Sequence, residues 1–249
     1  MPVARFYESD LTEASFAGSD LIIGGFAHCD LTRADFSQTN LDRCGIVESA
    51  LTNIRFAGAN LKQTTLYKAE LAGADFTGTR FDNTLFISAK LRGMSFAKMD
   101  LTLSQFIEAD LEGASFEGAI VRQCNFMKAN LASACFDGAE AQQAIFVQAT
   151  LTQASMRKAH LARSLFVDAQ MALSDLEGAE VEESIFHRAL LSGAKLNGCN
   201  FKYADFTGAK VFRTRFHRVK DKDTLWCSRL AALGDESDVA ESEDWNPPY

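Results

Sequence analysis

Residues 106–130 read FIEAD-LEGAS-FEGAI-VRQCN-FMKAN, with a large apolar residue opening every block of five. Followed outward, the step of five holds without insertion or deletion from Phe6 to Phe216. These 43 positions, termed centres here, comprise 19 Phe, 17 Leu, and Ile46, Val121, Val181, Val211, Met156, Met171 and Ala141. Two residues before a centre the side chain is small: 23 Ala, seven Ser, five Thr, four Cys and one Gly, against the exceptions Ile54, Met94 and Met99. Asp or Asn often directly precedes the centre, and Gly often follows two residues after it. A period of five fits neither the helix nor the strand. It suits a short extended segment followed by a turn, with the centre and the small residue pointing inward.

Sorting the centres by twenty separates them cleanly. The first column, Phe6 to Phe206, holds nine Phe in 11 positions. The second, Leu11 to Val211, holds none; the third, Phe16 to Phe216, holds eight; the fourth, Leu21 to Phe201, holds two. Four sides therefore give uniform ladders that three would scramble. With about 4.8 Å between coils, rings in a column stack offset, and the whole rod is roughly 50 Å long.

The motif small-(Asp/Asn)-(Leu/Phe)-x-(Gly/polar) resembles the pentapeptide-repeat family, whose pattern is A-(D/N)-L-x-x, across residues 4–218. The resemblance implies an all-β fold, a right-handed quadrilateral β-helix with one pentapeptide per side and twenty residues per coil.

Composition narrows the function. The 249 residues carry a net charge of −8, which argues against direct nucleic-acid binding or a polybasic membrane patch. No apolar run approaches a membrane span, and no secretory leader is visible. Of six Cys, Cys29, Cys44, Cys124 and Cys199 fall on the small inward position, and Cys135 and Cys227 have no partner; reduced thiols and a cytoplasmic protein are expected. The four His show no metal spacing, and the Asp pairs come from the repeat itself, with a turn-bonding role. A filled solenoid offers no pocket, so neither enzyme chemistry nor a cofactor is expected.

The residues following the centres are polar or small on the other three sides, with Ile22 and Phe212 as exceptions. On the first side, the residues following the centres are large and apolar over seven consecutive coils: Val47, Tyr67, Ile87, Ile107, Met127, Val147 and Val167. Leu85, Ile145, Leu165 and Ile185, directly before their centres, join the same face. β-propensity alone would enrich all four sides equally. A stripe roughly 30 Å tall is instead the mark of an interface, for a protein partner or a second copy.

Residues 1–218 are expected to form the β-helix, 219–234 a short C-terminal capping helix, and 235–249 an acidic flexible tail. The helix reading rests on Asp223 as cap, Gly234 as stop, and an apolar face of Leu225, Trp226, Leu230 and Leu233. The leading functional expectation is a non-enzymatic interaction scaffold. The resemblance also implies two alternatives: a DNA mimic that binds DNA gyrase and protects it from quinolones, or an accessory part of a bacterial secretion system. For the first, residues 1–216 hold 21 Lys+Arg against 25 Asp+Glu, a weak match to duplex DNA unless the charges segregate.

Overall fold

The structure, a computed structural model, describes residues 4–228 and residue 232. The chain winds as a four-sided parallel β-helix. Its first side carries the strands β1 (Arg5–Tyr7), β2 (Gly25–Ala27), β3 (Gly45–Val47) and β4 (Thr65–Tyr67), paired in parallel with a twenty-residue offset. Single parallel bridges continue the same offset on every side up to Asn200–Lys220 and Asp205–Leu225.

The five-residue period follows from where each backbone N–H goes. Around Phe126, the N–H of Asn125 donates to Ser104 O of the coil below at 3.1 Å. Phe126 N–H donates to Ile145 O of the coil above at 2.7 Å, and Lys128 N–H to Val147 O at 3.0 Å. The small residue Ala129 closes the turn by donating to Phe126 O at 3.0 Å. The remaining N–H, on Met127, donates to the Asn125 side-chain Oδ1 at 3.0 Å. That last bond explains the Asp/Asn preference: Asp30, Asp35, Asp75 and Asp205 accept in the same way from Thr32, Ser37, Thr77 and Thr207.

The second residue after each centre has positive φ in all 44 turns from Glu8 to Asp223, and 12 of these are Gly. Gly removes the steric penalty of the left-handed region, about 1–2 kcal/mol for other residues. Gly113, at φ +68°, has open space where a Cβ would stand, so backbone conformation alone favours Gly there.

Inside, centres and small residues form one continuous core. Phe86, Phe106, Phe126, Phe146, Phe166, Phe186 and Phe206 stack with centroids 4.5–5.1 Å apart and planes within 6°. Phe116 and Phe136 of the third side meet this column edge-on at 5.5–5.8 Å. The small position is polar where a hydroxyl reaches a carbonyl one coil below: Thr39 Oγ1 donates to Phe16 O and Thr64 Oγ1 to Leu41 O, each at 2.7 Å.

The expected capping helix is not what residues 219–228 form. Asp223 has φ +57° in another turn, Leu225 bridges Asp205, and Thr224 Oγ1 donates to Phe201 O at 2.8 Å. The register of five therefore runs past Phe216 through Asp221 to Trp226, and the boundary expected at 218 is no boundary. Trp226 turns inward and stacks on Phe206 at 4.9 Å, extending the first-side ring column, while Leu225 points outward and is 60% exposed. Helical spacing around Asp223 competes here with an aromatic ladder that needs one more ring, and burial of the indole decides for the coil. Leu230 and Leu233 lie outside the described residues, as does the tail 235–249.

One interruption breaks the ladder. Between the coil 66–85 and the coil 86–105, seven expected backbone bonds are absent: the N–H groups of Gly73, Phe76, Gly78, Phe81 and Asn83 find no acceptor above, and those of Ser95 and Asp100 none below. On the first side the same two coils stay joined, with Lys68 N–H to Ile87 O at 2.9 Å. The coil 86–105 places Met94 and Met99 at consecutive small positions, and Phe81 replaces Leu in the fourth column below them. Extra volume at these sites forces the coils apart. Phe76 and Phe96 stand 5.8 Å apart, and a cleft of about 490 Å³ opens beside Phe76, Phe81 and Met99, with Arg80, Asp82, Lys98 and Asp100 at its mouth.

Candidate interaction face

Each side of the helix presents two outward columns, directly before and directly after the centre. On the second, third and fourth sides, and at the corners, these columns carry charges paired between coils. Among the described residues eleven Lys or Arg side chains pair with a carboxylate twenty residues away, among them Asp35–Arg55 at 2.8 Å, Arg92–Glu112 at 2.8 Å, Arg157–Glu177 at 2.8 Å and Arg188–Asp168 at 2.7 Å. The Arg55 guanidinium holds the Asp35 carboxyl well below the ordinary carboxylate range, and Lys68, Arg188 and Arg163 lower Glu48, Asp168 and Glu183 in the same manner. All four lie at the surface, where solvent and salt screen such pairs and leave them little net worth.

The first side differs. From Gly25 to Ile185 its two columns contain no charged residue. Val47, Tyr67, Ile87, Ile107, Met127, Val147 and Val167 line one column, and Leu85, Ile145, Leu165 and Ile185 stand in the other with Gln105 and Asn125 between them. All eleven apolar residues are half-buried, each shielded by its neighbours one coil above and below, so the face is a flat ladder. The stripe ends at His187, whose Nε2 meets Asp205 Oδ2 at 2.7 Å. Burial raises the Asp205 pKa, but hydrogen bonds from His187 and Thr207 outweigh it and the net shift is downward.

Two features of this face are not visible in the alternation of outward residues alone. Leu85, Ile145, Leu165 and Ile185 stand at the position from which an Asp or Asn, where present, accepts the N–H two residues on. Among the described residues the N–H groups of Ile87, Val147, Val167 and His187 consequently have no acceptor, so the face offers donors as well as apolar surface. The adjoining corner is also uncharged from Gln63 through Asn83, Leu103 and Gln123 to Gln143. Leu103 is 42% exposed at a left-handed turn and widens the face. Column position modulo twenty is the signal that identifies this corner.

No cluster of His, Cys, Asp or Glu among the described residues is suited to hold a metal. No helix among them is long and apolar enough to cross a membrane. Burial pushes the Cys44 and Cys199 thiols up to about 12, and Cys124 higher still.

A filled four-sided β-helix with one turn per pentapeptide and a single uncharged face defines the class: a pentapeptide-repeat solenoid. The profile of the pentapeptide repeat region matches residues 49–122, and that of pentapeptide repeats in eight copies matches 26–56, 144–181, 174–211 and 184–219. The chain belongs to the pentapeptide-repeat family. No curated protein sequence matches it. Among solved structures it is similar to HetL, a pentapeptide repeat protein involved in heterocyst differentiation regulation from the cyanobacterium Nostoc, at 21% identity and a TM-score of 0.32, covering 84% of this chain and 90% of that one. It is also similar to QnrB1, a plasmid-mediated fluoroquinolone resistance protein, at 16% identity and a TM-score of 0.31, covering 97% of both chains. A third is a thylakoid-lumen pentapeptide repeat protein from Arabidopsis thaliana, at 23% identity and a TM-score of 0.27, covering 50% of this chain and 66% of that one.

Proposed function

We propose that the protein is a non-enzymatic scaffold that docks a flat protein surface, from a partner or a second copy, on its first side. The observation that carries this reading is the uncharged face from Val47 to Ile185, beside three sides laced with ion pairs. Its height, about 30 Å, gives a contact of the size that specific interfaces need. Apolar ladders provide area, and the N–H groups of Ile87, Val147 and Val167 provide directional bonds to partner carbonyls.

The gyrase-directed alternative is weakened by the ladders on the other sides. Acids and bases interleave there at twenty-residue spacing, whereas a duplex mimic needs rows of unpaired negative charge.

The test is Ile87→Glu with Ile107→Glu, measured by light scattering over a concentration series and by photo-crosslinking from Tyr67 in cell extract. Loss of the dimer, or of the crosslinked partner, is the expected result. Association unchanged by two carboxylates at the centre of the face would overturn the reading.

A further inference from the structure

The rule of opposite charge between successive coils holds along most of the rod and reverses at its C-terminal end. Lys195 still pairs with Asp175 below it, at 3.4 Å. Above Lys195, however, the bridged residue is Arg215, and Lys202 stands directly under Lys222. Residues 195–222 contain eight Lys or Arg against two Asp, a net charge of +6, in a chain whose first 194 residues sum to 16 Lys+Arg against 24 Asp+Glu, a net of −8. Lys210 lies on the second side, Arg213 at the next corner, Arg215 on the third side, and Lys220 and Lys222 on the fourth, so the cations form a collar around three sides. Lys202 still acts on Glu183 one coil below, but none of Lys210, Arg213, Arg215, Lys220 and Lys222 has an ion-pair partner among the described residues. Two of these cations instead lie over exposed rings: Lys202 over Tyr203 at 5.0 Å and Arg213 over Phe212 at 5.2 Å.

Like charges on adjacent rungs are destabilising by the same few tenths of a kcal/mol that opposite charges contribute. A fold that pairs its charges elsewhere therefore leaves a deficit of carboxylates here. The chain carries such carboxylates close by in sequence. Residues 235–244, Asp-Glu-Ser-Asp-Val-Ala-Glu-Ser-Glu-Asp, contain six acids and no base, and lie outside the described residues. Twelve residues separate Lys222 from Asp235, so the tether easily spans the collar. We propose that the collar is the docking surface for this acidic segment of the same chain. The contact is distinct from the first-side face, which the collar does not include. It occupies a strongly cationic surface of an acidic protein, so other polyanions gain access to it only by displacing the segment. Tethering places the segment at an effective concentration of about millimolar or more, which favours it over any dilute competitor.

The experiment uses the full chain and zero-length carbodiimide coupling, read by mass spectrometry of the monomer. Couplings from Lys220 and Lys222 to Glu236, Glu241 or Glu243 are expected at low salt, falling at least about tenfold at 0.5 M salt, where screening shortens to a few ångström. A variant with Asp235, Asp238 and Asp244 changed to Asn, and Glu236, Glu241 and Glu243 changed to Gln, is expected to elute from immobilised heparin at distinctly higher salt than the parent. Arg215→Gln with Lys222→Gln in that variant is expected to reverse the shift. Absence of collar-to-segment couplings, or equal heparin retention with and without the six carboxylates, would overturn the proposal. So would couplings found only between chains in a mixture of isotopically light and heavy protein, which would assign the segment to a second copy.

Discussion

Substituting Met94→Ala together with Met99→Ala tests whether side-chain volume opens the ladder between the coils 66–85 and 86–105. Truncating a buried Met to Ala costs about 2–5 kcal/mol when the surroundings cannot adjust. Met94 is 8% exposed and Met99 partly buried, so two such losses would ordinarily unfold a marginal domain. Here the truncation restores the side chain that most other coils carry at that position. It lets up to seven backbone bonds form, each worth about 0.5–1.5 kcal/mol net. The two effects are of the same size. The double variant is therefore expected to be as stable as the parent or up to a few kcal/mol more stable. Hydrogen exchange gives the sharper readout, because the amides of Phe76, Gly78, Phe81 and Asn83 pass from unbonded to bonded. Their exchange is expected to slow by at least about tenfold, matching a gain of roughly 1.4 kcal/mol per opening event, while Leu66 and Lys68 stay unchanged. A loss of several kcal/mol in the urea midpoint, with those four amides still exchanging fast, would show that the methionines fill the gap rather than cause it.

Four further outcomes follow from the geometry. Trp226→Ala removes the ring that extends the first-side column and is expected to cost about 2–3 kcal/mol, less than a fully buried Trp, with exchange quickening first around Phe206; no change would return Trp226 to the surface. Gly113→Ala meets no atom but holds φ +68°, so a loss of about 1 kcal/mol in urea unfolding is expected, and a neutral result would refute the left-handed cost assigned to these turns. Cys44, Cys124 and Cys199 have burial-raised thiol pKa values and should resist iodoacetamide at pH 8 until the protein unfolds, as peptide mass mapping will show; native-state labelling would contradict their inward placement. The Asp35, Glu48, Asp168 and Glu183 carboxyls are lowered on folding by Arg55, Lys68, Arg188 and Arg163. Their stabilisation is present above the unfolded values near pH 4 and is lost as pH falls through the lower folded ones, so the urea midpoint should fall between pH 5 and pH 2 and a flat profile would exclude these pairs.

What the sequence determines on its own is the register. Because each pentapeptide closes one turn and sends two side chains inward, the period of five, the four columns and the ring ladders all follow from local pattern, and so does the uncharged first side from Val47 to Ile185. The winding of residues 219–226 and the fate of the exceptions depend on what lies above and below each residue. Ile54, Met94 and Met99 break the small-residue rule alike in the sequence. Ile54 is fully buried with its carbonyl still bonded to Asp75 N–H, whereas Met94 and Met99 adjoin each other over Phe81 and the ladder parts. Around Asp223 the local spacing satisfies a helix and a coil equally, and only the position of Phe206 beneath Trp226 selects the coil. The cationic collar is likewise spread over 28 residues of sequence and becomes one surface only when the chain is wound twenty residues to the coil. Local hydrogen bonding sets the repeat; contacts between coils, which join residues twenty apart, decide volume and charge.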